Sequence, residues 1–126
     1  MGGITTQIEQ AVASWPGVTV GPHRFGGVEF RVGRRELGHL HGDQLADLPF
    51  PVKVRDELIA AGKADRHHVL PETGWVSRRI HSVRDVPAII DLFRLSYEQP
   101  WSTTRRKVPT ERQSVFRSGR SLATSG

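Results

Sequence analysis

The segment VEFRV at residues 28–32 alternates apolar and charged side chains, and this period of two predicts a half-buried β-strand. The turn Gly33-Arg34 leads into residues 35–41, a second predicted strand, so we expect the two segments to form a hairpin. Residues 19–25 are expected to form a short strand before this hairpin. The first part of the chain therefore predicts a small antiparallel sheet.

Apolar residues at helical spacing mark three other segments. Residues 5–15 predict a helix whose start carries a capping-box pattern, Thr6 followed by Glu9. Residues 52–62 predict a second helix, after the stretch DLPFP, which we interpret as a rigid connector. Residues 86–98 predict the last helix.

One more strand is predicted over residues 75–80, so the elements follow the order α-β-β-β-α-β-α. This order favours the α+β class, a single compact domain with helices packed on one face of an antiparallel sheet. We expect this domain to cover residues 1–99. Residues 100–126 are rich in Ser, Thr and Arg, and we expect them to form a basic, disordered C-terminal tail.

The net charge of +5 lies entirely in that tail. Residues 1–99 carry 12 Lys and Arg against 12 Asp and Glu, whereas residues 100–126 carry six basic residues against one acidic residue. A basic tail can bind phosphates weakly and in a salt-dependent way. We therefore expect at most a weak contact with nucleic acid, through the tail.

The chain contains no cysteine, which excludes disulfides, thiolate zinc sites and cysteine nucleophiles. Its first residues lack the pattern of a signal peptide, and no stretch approaches the ~20 apolar residues of a membrane span. We therefore expect a cytoplasmic protein with no membrane partner, either a monomer or a homodimer.

The motif GHLHG places His39 and His41 on the second strand of the hairpin. Because alternate residues of a strand share a face, Leu37, His39 and His41 are expected to point the same way. Three interpretations stay open: acid–base groups in a pocket, ligands of a metal ion, or solvent-facing and structural residues. In the metal interpretation, donors for the remaining positions would come from His67, His68, Asp43 or Asp47.

The stretch DRHHVLPETGW supplies a second pair of histidines. His67 and His68 are adjacent and face apart in an extended segment, so at most one is expected to face a site shared with the hairpin. Trp75 is interpreted as a core residue rather than a platform for a ligand. Asp43 and Asp47 are expected either to orient an imidazole or to form turns. The chain has no GxSxG, GxxxxGK[ST] or GxGxxG motif, which removes the usual hydrolase and nucleotide interpretations.

Three blocks of the chain together resemble the small bacterial luciferase-family (luciferase-domain) proteins, a domain of unknown function. The blocks are GVEFRVGRRELGHLHG, DLPFPVKVRDELIAAGKADRHHVLPETGWVSRRI and DVPAIIDLFRLSYE. The resemblance covers residues 15–98. Its most specific parts are GHLHG followed by DLPFP, HHVLP with GWVS, and LSYE.

The family takes its name from similarity to fungal luciferase, which oxygenates a hydroxylated pyrone with molecular oxygen and no organic cofactor. The resemblance implies that a histidine removes a proton from an enol and that a cationic neighbour stabilises the enolate that reacts with oxygen. His39, His41 and His68 (or His67) lie in the family's histidine-bearing blocks, and Arg55 follows LPFP. His39, His41, His68 and Arg55 are therefore the candidate catalytic residues.

The resemblance implies a small enolic or aromatic ligand, an oxygenase-like activity and no cofactor. Light emission is not expected, because a bacterial cell is not expected to make the fungal pyrone. Two alternatives stay open beside this function. One is a non-catalytic module that binds nucleic acid or protein through its basic tail, and the other is a His-ligated metal protein.

Overall fold

The structure is a computed structural model that describes residues 3–23, 26–67, 69 and 72–100. The expected tail, residues 100–126, lies outside the described residues except for its first residue. The elements in chain order are α1 (Ile4–Ala13), β1 (Val18–Pro22), β2 (Val28–Val32), β3 (Arg35–His41), β4 (Leu45–Pro49), α2 (Val52–Ala60), β5 (Asp65–Arg66), β6 (Trp75–Arg79), a 3-10 turn (Val83–Asp85) and α3 (Val86–Glu98).

The six strands form one sheet in the order β1-β2-β3-β4-β6-β5, and every neighbouring pair is antiparallel. One face of the sheet packs against the helices. Apolar residues of all three helices share a single buried core with alternate residues of the central strands. The prediction of a compact α+β domain with helices on one face is confirmed. None of the helices in the described residues has the length and apolar character needed to cross a membrane.

The predicted order of elements is wrong at one important place. Residues 47–49, part of the stretch DLPFP that was interpreted as a connector, belong to β4, which lies between β3 and β6 in the middle of the sheet. Ala46 and Leu48 of this strand are fully buried in the core. The two-residue strand β5 was also not predicted, so two strands, rather than one, follow α2.

The predicted capping box at the start of α1 is also wrong. The helix begins after Gly3, and Thr6 lies inside it. The cap comes instead from Asp43, in the turn between β3 and β4, whose carboxylate accepts hydrogen bonds from the backbone N–H and the hydroxyl of Thr5. A carboxylate placed there satisfies an N–H group that no helical partner can reach, and it ties α1 to the sheet.

A β-bulge interrupts the pairing of β2 with β3. Phe30 pairs with Gly38, whereas Arg31 pairs with Glu36, so Leu37 is an extra residue between the two pairs. The carbonyl group of Leu37 has its partner in α3, where the buried hydroxyl of Ser96 donates to it over 2.9 Å.

The bulge changes which residues of β3 share a face. Leu37 and Leu40 are both fully buried in the core, although a regular strand would point them to opposite faces. The expectation that Leu37 faces the same way as His39 and His41 is therefore wrong. The extra residue turns both histidines to the face of the sheet opposite the helices, which we call the helix-free face.

Candidate functional site

The helix-free face carries a group of imidazoles and carboxylates that we call the histidine–carboxylate cluster. Two strands, β3 and β4, supply its centre, and the segments after β1 and before β6 complete it. Its members are His23, Glu36, His39, His41, Asp47 and His67.

Asp47 is the centre of the cluster, and only 1% of its surface is exposed. Its Oδ1 accepts a hydrogen bond from the hydroxyl of Ser77 over 2.6 Å. Its Oδ2 lies 3.0 Å from Nε2 of His41 and 3.4 Å from Nε2 of both His39 and His67. Three imidazoles therefore converge on one carboxylate oxygen.

His39 lies between two carboxylates. Its Nδ1 is 2.7 Å from an oxygen of Glu36, and its Nε2 faces Asp47. Glu36 comes three residues earlier in the chain, and the bulge at Leu37 is what brings both side chains to the same face. His39 is 7% exposed, so this imidazole belongs to the interior of the cluster rather than to a wet strand surface.

His67 enters the cluster from the segment between β5 and β6. Its Nδ1 accepts a hydrogen bond from the backbone N–H of Val69 over 3.1 Å, which leaves the proton of the neutral ring on Nε2, facing Asp47. His67 thus faces the site that His39 and His41 of the hairpin also line. His68, the pair's other member and the one chosen as a catalytic candidate, lies outside the described residues.

Aromatic rings line the cluster. His23 stacks on His39 with ring centroids 4.0 Å apart, and His41 meets His39 edge to face at 4.8 Å. The indole of Trp75 lies 5.4 Å from His39 and 6.0 Å from His67. The interpretation of Trp75 as a core residue is wrong, because it lies on the helix-free face, outside the buried core.

His23 was not among the candidates predicted from the sequence. It follows β1 directly, and its backbone N–H donates to the carbonyl of Gly27. Gly27 has φ +81°, and a Cβ there would lie 1.9 Å from the carbonyl oxygen of Leu40. Only glycine allows residue 27 to lie so close to β3. The hydrogen bond to its carbonyl then holds His23 beside the cluster. The glycine pair Gly26-Gly27 was the one signal in the sequence that could have indicated this.

The residues of the cluster shift one another's pKa values in different directions. Burial by itself lowers the pKa of His39, but hydrogen bonds to Asp47 and Glu36 and their negative charges outweigh it and raise the pKa to about 9. Burial raises the pKa of Asp47, yet hydrogen bonds from His39 and Ser77 and nearby imidazole charge hold it well below its usual range. Burial, and then the neighbouring His39, lower the pKa of His23.

Arg55 lies on α2 and is 6% exposed. Its Nη1 donates to the carbonyl of Thr73 over 2.7 Å, while Nε and Nη2 donate to Asp56 at 2.9 and 2.7 Å. The hydrogen bond to Thr73 holds the segment that leads into Trp75. The backbone N–H of Phe50 holds the same segment by donating to the carbonyl of Gly74. The described contacts thus link Arg55 to this segment; its role as an electrostatic stabiliser stays a prediction.

Two sets of side chains within the described residues offer donor atoms close enough for one metal ion. One set is His39, His41 and Asp47, and the other is His23, Glu36 and His39. In each set the three donor atoms lie within 4.8 Å of one another. The cluster can therefore transfer protons, hold a negative charge or bind a cation.

Comparison with known protein families adds an independent finding. The family model of the Luciferase domain matches residues 34–96, which is half of the chain. The chain belongs to the luciferase-domain family. Comparisons with curated proteins and with solved structures give no match.

The matched part of this luciferase domain contains nearly all of the cluster. It runs from just before Glu36 to Ser96, whose hydroxyl holds the bulge, and it includes Asp47, His67 and Trp75. His23 lies before the matched residues, so it belongs to the site by its place in the fold alone.

Proposed function

We propose that this luciferase domain binds a small enolic or aromatic molecule over the helix-free face and that imidazoles of the cluster exchange a proton with it. One observation carries the proposal. Four imidazoles and the indole of Trp75 are in ring contact on a face that no helix of the described residues covers.

The chemistry of the cluster suits such a ligand in two respects. Flat aromatic side chains offer surfaces on which a planar ring can stack. Imidazole titrates near neutral pH, so a neutral ring of the cluster is suited to accept the proton of an enol. His39, whose pKa is raised to about 9, holds a proton that it can donate. An enolate formed in this way is the species that can react with molecular oxygen, and this reaction uses no organic cofactor.

His39, His41 and His68 stay the candidates for proton transfer, with Arg55 as the candidate for electrostatic stabilisation. Of these, His41 is the most accessible among the described imidazoles that contact Asp47, with about a third of its side chain exposed. A ligand that approaches the helix-free face would therefore meet His41 before His39, whose ring lies beneath that of His23.

The test is binding of a simple cyclic enol, 4-hydroxy-6-methyl-2-pyrone, followed through the histidine ring resonances of the full chain by NMR. The matched control ligand is its O-methyl ether, which keeps the ring and lacks the enol proton. We expect saturable shifts at His39 and His41 with the enol, and at least tenfold weaker binding in His41→Gln. His81→Gln, at an exposed histidine after β6, is the control variant and should bind normally.

Two results would contradict the proposal. Equal binding of the ether would show that the enol proton plays no part. Shifts confined to histidines outside the cluster would show that the ligand lies elsewhere on the protein.

A further inference from the structure

We propose that His39, His41 and Asp47 form a binding site for one divalent transition-metal ion. The inference rests on the proposed function for its ligand, but it assigns His39 and His41 to the ion and leaves proton transfer to another imidazole of the cluster. Metal binding itself requires no such ligand, so the two proposals can fail separately.

Two of the three distances between the donor atoms fit those around a bound ion, and all three lie within 4.8 Å. First-row ions hold imidazole nitrogen and carboxylate oxygen at about 2.0–2.2 Å. At that length, neighbouring donors are roughly 3.0 Å apart in octahedral geometry and roughly 3.4 Å apart in tetrahedral geometry. Oδ2 of Asp47 lies 3.0 Å from Nε2 of His41 and 3.4 Å from Nε2 of His39.

The lone pairs of Asp47 lead to the same conclusion. A carboxylate oxygen has two lone pairs, yet Oδ2 faces three imidazole nitrogens. His67 turns the N–H of its Nε2 toward Oδ2, because its Nδ1 accepts from Val69. A cation held by Oδ2 and by the Nε2 atoms of His39 and His41 would bring these three groups to one centre.

The groups behind the donors are arranged as they are around bound metal ions. Metal-binding imidazoles donate their other N–H to a carboxylate, which fixes the ring and its tautomer. Here Nδ1 of His39 meets Glu36 at 2.7 Å, and Nε2, which faces Asp47, would give up its proton to bind the ion. The second oxygen of Asp47 is held by the hydroxyl of Ser77.

The alternative set, His23, Glu36 and His39, fits an ion less well. Nδ1 of His39 and Oε2 of Glu36, the nearest pair of donor atoms between these two residues, are 2.7 Å apart. That is a hydrogen-bond distance and is shorter than the roughly 3.0 Å between donors that share an ion of this size. Glu36 therefore belongs behind the site, as a hydrogen-bond partner of His39.

Two imidazoles and one carboxylate suit Fe²⁺, Co²⁺, Mn²⁺ or Zn²⁺ and leave coordination positions open. The enolic oxygen of a ligand could occupy one of them. The ion would then favour loss of the enol proton by stabilising the negative charge on oxygen. The enol proton would pass to an imidazole that is not bound to the ion, for which the stacked His23 is the nearest described candidate.

The experiment uses the full chain without an affinity tag, freed of metal and titrated with Co²⁺, whose visible absorption reports the geometry of its ligands. We expect one equivalent to bind. His41→Gln should weaken binding more than about 100-fold, and Glu36→Gln, behind the site, about 10–100-fold. His81→Gln should leave the affinity unchanged.

His41 is the main variant because its side chain is partly exposed and its loss should not unfold the domain. Asp47→Asn, checked for folding by circular dichroism, is the second. Absence of stoichiometric Co²⁺ binding, or unchanged affinity in folded His41→Gln, would overturn the proposal. Loss of binding in His23→Gln as large as in His41→Gln would overturn it too, because the proposed site does not include His23.

The pyrone titration, repeated with EDTA present, separates this proposal from the proposed function. Pyrone binding without metal, together with no Co²⁺ binding, would overturn the metal site alone. Stoichiometric Co²⁺ binding with no pyrone binding would support the metal site and contradict the proposed ligand.

Discussion

Gly38→Ala tests whether the close packing of Gly38, the residue after the bulge in β3, against β4 and α3 stabilises the domain. Gly38 has φ +151°, and a Cβ added there would lie 2.8 Å from the carbonyl oxygen of Asp47 and 2.9 Å from atoms of Leu48 and Phe93. Contacts below 3.0 Å force something to move, and one of these three is backbone. Overpacking costs about 1–3 kcal/mol and an unfavourable backbone conformation about 1–3 kcal/mol more. We therefore expect the free energy of unfolding to fall by about 2–6 kcal/mol, a large part of the about 5–15 kcal/mol typical of a domain.

The assay is urea unfolding of the full chain, followed by circular dichroism. Gly33→Ala is the matched control, because Gly33 has φ +61° in the turn between β2 and β3 and a Cβ there meets nothing within 4 Å. It should cost only the backbone conformation, about 1–2 kcal/mol. If Gly38→Ala is no more destabilising than Gly33→Ala, the close packing of the bulge against β4 and α3 does not contribute to stability as described.

Three other predictions concern stability. Because the pKa of His39 rises from ~6.5 to about 9 on folding, its contribution of about 3 kcal/mol is present below pH ~6.5 and is lost as pH rises through about 9. Stability measured by urea unfolding should therefore decline over this alkaline range, and this decline should be absent in His39→Gln. Ser96→Ala should cost about 1–3 kcal/mol in the same assay, because it leaves the buried carbonyl of Leu37 without its described side-chain partner. Asp43→Ala should lower the urea midpoint of unfolding through loss of the cap on Thr5.

Exposed residues of the same types provide controls for these variants. Ser14→Ala removes an exposed hydroxyl at the end of α1, and Asp91→Ala removes an exposed carboxylate from α3. His81→Gln serves for the pH profile. If a control costs as much as its partner, or if His39→Gln keeps the alkaline decline, the corresponding buried contact does not contribute as described.

The sequence predicted those elements whose pattern is local. The alternation in residues 28–32 and the helical spacing in residues 86–98 depend only on near neighbours, and both elements were found. β4 was missed because its central residue is Asp47, a type that usually marks a turn. Its burial is tolerated because Ser77, 30 residues later, and the imidazoles satisfy the carboxylate. A pattern within one segment does not contain that information.

The capping box at Thr6 failed for a related reason. Thr6 and Glu9 fit the pattern, but the carboxylate that caps α1 comes from Asp43, 38 residues beyond Thr5. Local patterns identify groups that could satisfy a helix end. They do not show which group the folded chain brings there, because that depends on the position of the turn between β3 and β4.

The site was predicted in part, and the bulge explains the limit. The spacing of His39 and His41 placed both on one face, which is correct, but the face itself could not be assigned. In a regular strand Leu37 would lie on the same face as His39 and His41. Burial of Leu37 in the core would then turn both histidines toward the helices as well. One extra residue resolves this conflict, and its carbonyl is satisfied by Ser96, 59 residues later. The contact between α3 and the bulge therefore determines which face carries the cluster, and loss of the bulge would place either Leu37 or His39 in the wrong environment.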